Sequence, residues 1–182
     1  MRTRLRRFFL VAPLFLGALP LTAQTATRTV VVVRHAEKGA EGTDPSLTPA
    51  GAGRAEALSR ALEDVKVAAL FATEYKRTQE TVQALEKRLG LAPTIVPARA
   101  VDSLVARIQA LPPGAAAVVA SHSNLVHVIV QRLSGVSILE LTEADYDRMA
   151  VVTMTGPGQG TVVVLRYGAP SAAGPQAPMV KP

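Results

Sequence analysis

The stretch from Thr29 to Val33, Thr-Val-Val-Val-Val, is the strongest constraint on how this chain folds. β-Branched side chains are restricted in a helix and pack well on a pleated surface, and successive strand residues face opposite ways. A run with no polar alternation is therefore a strand buried on both faces, here Arg28 to Val33. A polar, Gly-containing loop follows from Lys38 to Ser46. Thr48 then stands as an N-cap with Pro49 in the first helical position, and Ala55, Leu58 and Leu62 mark one helical face. Val67 to Phe71 reads as a second strand. The next helix starts near Tyr75, carries the stripe Val82, Leu85 and Leu89, and stops at Gly90.

The same alternation continues. Pro93 to Pro97 is a short third strand and Ser103 to Leu111 a third helix; Pro112-Pro113-Gly114 then turns the chain into a strand from Ala115 to Ala120. Leu125, Val126, Ile129, Val130 and Leu133 describe a largely buried helix, with Ser121 and Ser123 placed to cap it. Val151 to Thr155 and Thr161 to Arg166 flank the turn-rich Gly156 to Gly160, an antiparallel hairpin at one edge. The expected fold is a three-layer α/β/α domain over residues 28–167 with a mostly parallel central sheet. A disordered Pro- and Ala-rich tail is expected over residues 168–182. Ligands of such sheets bind beyond the carboxyl ends of the strands.

A length of 182 residues fits one such domain. The first residues stand apart. Arg2, Arg4, Arg6 and Arg7 precede an apolar run from Phe8 to Leu21 that ends in the small residues Thr22 and Ala23, the outline of a secretory signal peptide over residues 1–23. Pro13, Gly17 and Pro20 interrupt a run already shorter than the roughly 20 apolar residues of a membrane span, so cleavage after Ala23 is expected and no stable anchor thereafter. A periplasmic or secreted location follows. Without cysteine there is no lipid attachment site and no disulfide. Removing the peptide lowers the formal charge from +6 to about +2, with the remaining Lys and Arg scattered. With aromatic residues at only 4%, stacking platforms for single strands are missing, which disfavours a nucleic-acid function, and no nucleic-acid partner is expected.

Arg34 and His35 stand where the first strand ends, Arg77 in the first turn of the helix after the second strand, and Ser121-His122 where the fourth strand ends. Three distant segments thus bring two arginines and two histidines to one sheet edge, the requirement of a pocket for a dianionic phosphoryl group. Arg77 adds a hint of its own: a cation in a first helical turn opposes the helix dipole, and a bound anion removes the conflict. His127 lies five positions after His122, about 140° around the helix, and is read as structural.

These residues resemble the signature of the histidine phosphatase superfamily, which includes phosphoglycerate mutases, phytases and small phosphohistidine phosphatases. Arg34-His35-Ala36-Glu37 looks like its opening motif. Leu47-Thr48-Pro49-Ala50-Gly51, Arg77-Thr78-Gln79-Glu80-Thr81 and Ser121-His122-Ser123-Asn124 follow in the family's order, together covering most of the chain from Arg28 to about Leu165. Ala36 stands where the family often has glycine, and serine occupies both sides of His122.

The resemblance implies His35 as nucleophile and Arg34, Arg77 and His122 as the phosphate-binding shell of a metal- and cofactor-independent phosphatase acting on phosphate monoesters. Neighbouring arginines disfavour the protonated imidazole, so one pocket holds the dianion and frees the nucleophile. Two carboxylates compete as proton donor: Glu37, beside the nucleophile, and Asp102, preferred because it follows the third strand at a family-like place, although an Asp before a helix also serves as an N-cap. A metal site of His35, Glu37 and His122 ranks below this, since two arginines repel a divalent cation. The same motifs are compatible with a phospholigand-binding module without turnover and with a mutase-like phosphotransferase. The particular phosphate ester, small or macromolecular, and the oligomeric state are not legible.

Overall fold

The computed structural model describes residues 27–171. The expected signal peptide lies outside the described residues, as does most of the expected tail. Six strands and four helices alternate: β1 (Arg28–Arg34), α1 (Pro49–Ala61), β2 (Val67–Ala72), α2 (Lys76–Leu89), β3 (Thr94–Ile95), α3 (Val101–Gln109), β4 (Ala116–Ser121), α4 (Ser123–Ser134), β5 (Arg148–Gly156) and β6 (Gln159–Arg166). They form one sheet in the order β3-β2-β4-β1-β5-β6. β3, β2, β4 and β1 are mutually parallel, while β5 runs antiparallel to β1 and pairs with β6 as the edge hairpin.

The valine run behaves as its pattern requires. Val30 and Val32 enter the core on the α3/α4 side, whereas Val31 and Val33 enter the core on the α1/α2 side. Burying a valine contributes roughly 1.5–3 kcal/mol, so this single strand anchors both layers. Leu58, Leu62, Val82 and Leu85 cover one face of the sheet; Leu104, Ile108, Ile129 and Leu133 cover the other. The three-layer α/β/α arrangement is as expected.

Thr48 caps α1 through its Oγ1, which accepts from Gly51 N at 3.1 Å, and Gly90 ends α2 with φ 66°. Other boundaries differ. β3 shrinks to two residues because Pro93 and Pro97 withhold ladder donors on either side. α4 is capped by neither expected serine: Ser121 belongs to β4, His122 takes the N-cap position, and the Ser123 hydroxyl bonds elsewhere. The tail boundary also moves. Ser171 Oγ accepts from the backbone N–H groups of Tyr146 and Asp147, both at 2.9 Å, which ties the chain down past Gly168.

The candidate active site at the strand ends

Register decides what meets at the carboxyl edge of the sheet. Arg34 pairs with Ser121 across β1 and β4, and Ala72 with Ala120 across β2 and β4. His35, Thr73 and His122 therefore leave three adjacent strands at the same level. His35 N–H donates to Ser121 O at 2.8 Å, and the two imidazole centroids lie 5.5 Å apart.

The residues just past His35 are clamped from both neighbouring motifs. Ala36 N–H donates to Thr81 Oγ1 at 2.9 Å, and Thr81 hands its own proton to Arg77 O at 2.6 Å. Thr48 N–H donates to Glu37 O at 2.9 Å. Gly51 lies so close that a Cβ there would meet the Glu37 carbonyl oxygen at 2.2 Å. Glu80 reaches over to accept from Leu47 N–H at 2.7 Å. The second and third motifs thus fix the backbone just past His35.

The His35 ring makes its hydrogen bond at Nδ1, 2.8 Å from Ala36 O. A carbonyl only accepts, so Nδ1 carries the proton and Nε2 keeps its lone pair. Burial, then the positive surroundings of Arg34, His122 and Arg77, push its pKa down to about 4 against the pull of the Ala36 bond. His35 is a neutral imidazole at neutral pH, the form that attacks phosphorus. His122 is likewise pushed down to about 4, by burial first and then by Arg77. Its Nε2 meets Thr73 Oγ1 at 3.0 Å, Thr73 Oγ1 meets Thr78 Oγ1 at 2.9 Å, and Thr78 donates onward to Tyr75 O at 2.7 Å. Tyr75 closes edge-on against the same ring at 5.2 Å.

His35, His122, Tyr75 and Arg77 line an open cleft of about 310 Å³, at the low end for ligand sites. Arg77 lies over the Tyr75 ring at 4.3 Å. The anion that its place in α2 calls for is supplied within the chain: Asp44 accepts from Lys76 N–H at 3.1 Å and pairs with Arg77 at 3.5 Å. Arg34 is beneath the surface at 1% side-chain exposure and does not line the cleft. Its Nη1 donates to Thr142 O at 2.8 Å, Tyr146 stacks on its plane at 4.1 Å, and Nη2 donates to Glu143 Oε2 at 2.7 Å. Nε of both arginines is buried without an acceptor among the described residues.

Neither carboxylate expected as proton donor reaches this cleft. Asp102 is not the N-cap of α3, a position held by Ala100; its side chain is 83% exposed and pairs with Arg132 at 3.1 Å, because its place in the first turn points it outward toward the end of α4. Glu37 is held by Arg54, whose Nε lies 3.0 Å from both carboxylate oxygens and whose Nη2 lies 2.6 Å from Oε1. Partial burial pushes Glu37 up, but the Arg54 hydrogen bonds outweigh it and hold the group below the ordinary carboxylate range. The same pairing removes Glu37 from any metal set with His35 and His122. His127 does not line the cleft either.

Sequence reasoning missed residues 136–147. Glu143 from this connection is the one carboxylate among the residues lining the cleft, with Ser123 Oγ donating to its Oε1 at 2.7 Å. The polar Thr142-Glu143-Ala144-Asp145-Tyr146-Asp147 between two apolar elements was the available signal, but nothing in its spacing ties it to β1.

Residues 30–100 match the family model described as histidine phosphatase superfamily (branch 1). No curated protein matches the chain by sequence. Among solved structures, the chain is similar to the protein histidine phosphatase SixA complexed with tungstate, at 22% identity, TM-score 0.63, and coverage of 76% of this chain and 96% of that one. It is similar also to the alpha-ribazole phosphatase from Shigella flexneri, at 15% identity, TM-score 0.61, with 76% and 96% covered. The mycobacterial glucosyl-3-phosphoglycerate phosphatase follows at 14% identity and TM-score 0.57, with 78% and 100% covered. The superfamily resemblance is borne out. The family match spans three of the four motifs, and the fold sets the fourth, around His122, against them.

Proposed function

We propose that this chain, a histidine phosphatase superfamily fold, is an exported phosphatase that hydrolyses phosphate monoesters through a phosphohistidine on His35 without a metal ion. One observation carries the reading: the Nδ1–H bond of His35 to Ala36 O presents a neutral Nε2 in a cleft with His122 and Arg77. Arg77 binds the dianion at the surface. Arg34 becomes available only as Glu143 gives way, and its unpaired Nε is a donor for a phosphoryl oxygen. The incoming dianion offsets both the burial and the positive charge of Arg77 that keep His122 neutral, so that this ring takes a proton and binds as imidazolium. Attack by Nε2 splits hydrolysis into formation and breakdown of a P–N bond. Export rests on residues 1–23. The structural neighbours act on protein phosphohistidine and on small phosphate esters, and both classes suit an open cleft.

A second reading, binding of a phospholigand without turnover, is favoured by the placement of Asp102 and Glu37 away from the cleft. One experiment separates the two. Protein recovered from the periplasm or medium, lacking roughly two dozen residues by intact mass, is assayed in EDTA on a phosphate-ester panel. Turnover with acid-labile phosphate trapped on the wild type and not on His35→Ala is the expected result. Saturable binding with no label in either protein establishes the binding module.

A further inference from the structure

We infer that Glu143 is the proton donor of this site, released to the leaving group when a phosphoryl group takes its place on Arg34. The inference rests on the phosphatase reading above and adds the residue that reading lacks.

A pocket for phosphoryl transfer from an alkyl ester needs an acid, because an alkoxide leaves poorly without a proton. The two carboxylates next to it in sequence terms are committed elsewhere, Glu37 to Arg54 and Asp102 to Arg132. Glu143 shares the cleft with His35, and its side chain is 77% exposed, so it can swing without disturbing the core. Both of its oxygens are engaged by site residues, Oε1 by Ser123 and Oε2 by Arg34. Its anchor matters most. Arg34 is itself fixed by Thr142 O and by Tyr146, so the guanidinium stays in place whether or not Glu143 occupies it.

In the resting site the carboxylate therefore occupies an anion position on Arg34. A phosphoryl dianion competes for the same donor. Ser123 and Arg34 both favour the ionised carboxylate, the Ser123 hydrogen bond most strongly. Leaving Arg34 removes the one full positive charge it touches and frees Oε2, and the dianion alongside disfavours ionisation, so Glu143 takes up a proton on Oε2 where it is needed. Ser123, at the start of α4, keeps the displaced group within the cleft. His35 Nε2 then bonds to phosphorus as the P–O bond to the leaving group breaks, and the electron pair on that oxygen takes the Glu143 proton. In the second half the Glu143 carboxylate takes a proton from water as the water oxygen bonds to phosphorus. The P–N bond breaks, its electron pair returns to Nε2, and phosphate leaves with Glu143 protonated. The sum is ester plus water to alcohol plus phosphate.

The test compares kcat/KM of the full exported protein and Glu143→Gln on glycerol phosphate and on p-nitrophenyl phosphate, with acid-labile label on His35 followed in both. We expect Glu143→Gln to lose about 10²–10⁴-fold on the alkyl ester and less than about tenfold on the nitrophenyl ester, whose leaving group barely needs a proton. The variant should also accumulate phosphohistidine from p-nitrophenyl phosphate, since its water lacks a base. Equal losses on the two esters overturn the assignment. So does a gain on both, which would make Glu143 only a competitor for Arg34. Absence of label on the wild type is a different failure, that of the phosphatase reading itself. Ser123→Ala is the second variant, expected to shift the same alkyl-to-nitrophenyl ratio in the same direction by a smaller factor; an unchanged ratio there counts against the exchange.

Discussion

Two glutamate–arginine pairs are built from the residues beside His35, and they differ in almost everything but composition. Glu37 with Arg54 is closed: its carboxylate is 23% exposed, Arg54 spends a further hydrogen bond of 3.0 Å on Tyr167 O, and Gly51 brings α1 against the Glu37 backbone. Glu143 with Arg34 is open on the acid side and closed on the base side, at 77% and 1% exposure. A pair buried at its cationic end and half-buried at its acid holds a loop in place, because parting it strands a charge. A pair buried only at its cationic end can exchange its anion for another at little cost. His35 thus sits between one wall closed on both sides and another open on its acid side.

The contrast breaks most visibly at Arg54. Arg54→Ala should lower unfolding free energy by about 2–4 kcal/mol, since it leaves the half-buried Glu37 and the Tyr167 carbonyl without their donor beside a void, and urea denaturation measures it. A loss below about 1 kcal/mol would mean that the closed wall is no more than a surface ion pair.

Acid titration sharpens the comparison at the centre. His35 and His122 have folded pKa values of about 4 against 6.5, so the unfolded chain binds more protons as pH falls below 6.5. Their neutral burial is therefore tolerated fully above pH 6.5 and penalised progressively toward pH 4, by roughly 2–3 kcal/mol each near pH 4.5. Thermal melts from pH 7 to 4.5 should show stability falling with pH, and His122→Asn should flatten the slope by about half. The Glu37 carboxylate, held below the ordinary range, begins to lose its contribution only under this window.

Gly51→Ala should cost about 1–3 kcal/mol, because the added methyl meets a backbone carbonyl that Thr48 also holds; the midpoint of chemical unfolding reports it. At the small end, Glu143→Gln should cost no more than about 1 kcal/mol, because an amide oxygen can still accept from Arg34 while Thr142 O and Tyr146 hold the guanidinium; a melt of the variant measures it. A larger loss would place Glu143 in the closed class with Glu37.

Periodicity alone made the core legible: the unbroken valine run, the stripe on α2, Pro49 after Thr48 and the glycine stop at Gly90 are local statements that the fold obeys. It also brought Arg34, His35, Arg77 and His122 to one edge, since side chains just past parallel strands have nowhere else to be. The acids escaped it. Asp102 and Glu37 are near the right places along the chain, but a carboxylate goes to whichever cation the packing brings within reach, and those cations, Arg132 and Arg54, come from other elements. Arg34 meets Glu143 across more than a hundred residues, through a connection with no period to read. Short-range preference therefore determined the elements and the edge that carries His35, while only the tertiary structure decided which charges pair, because Coulomb partners are chosen by distance in space and burial rather than by distance in sequence.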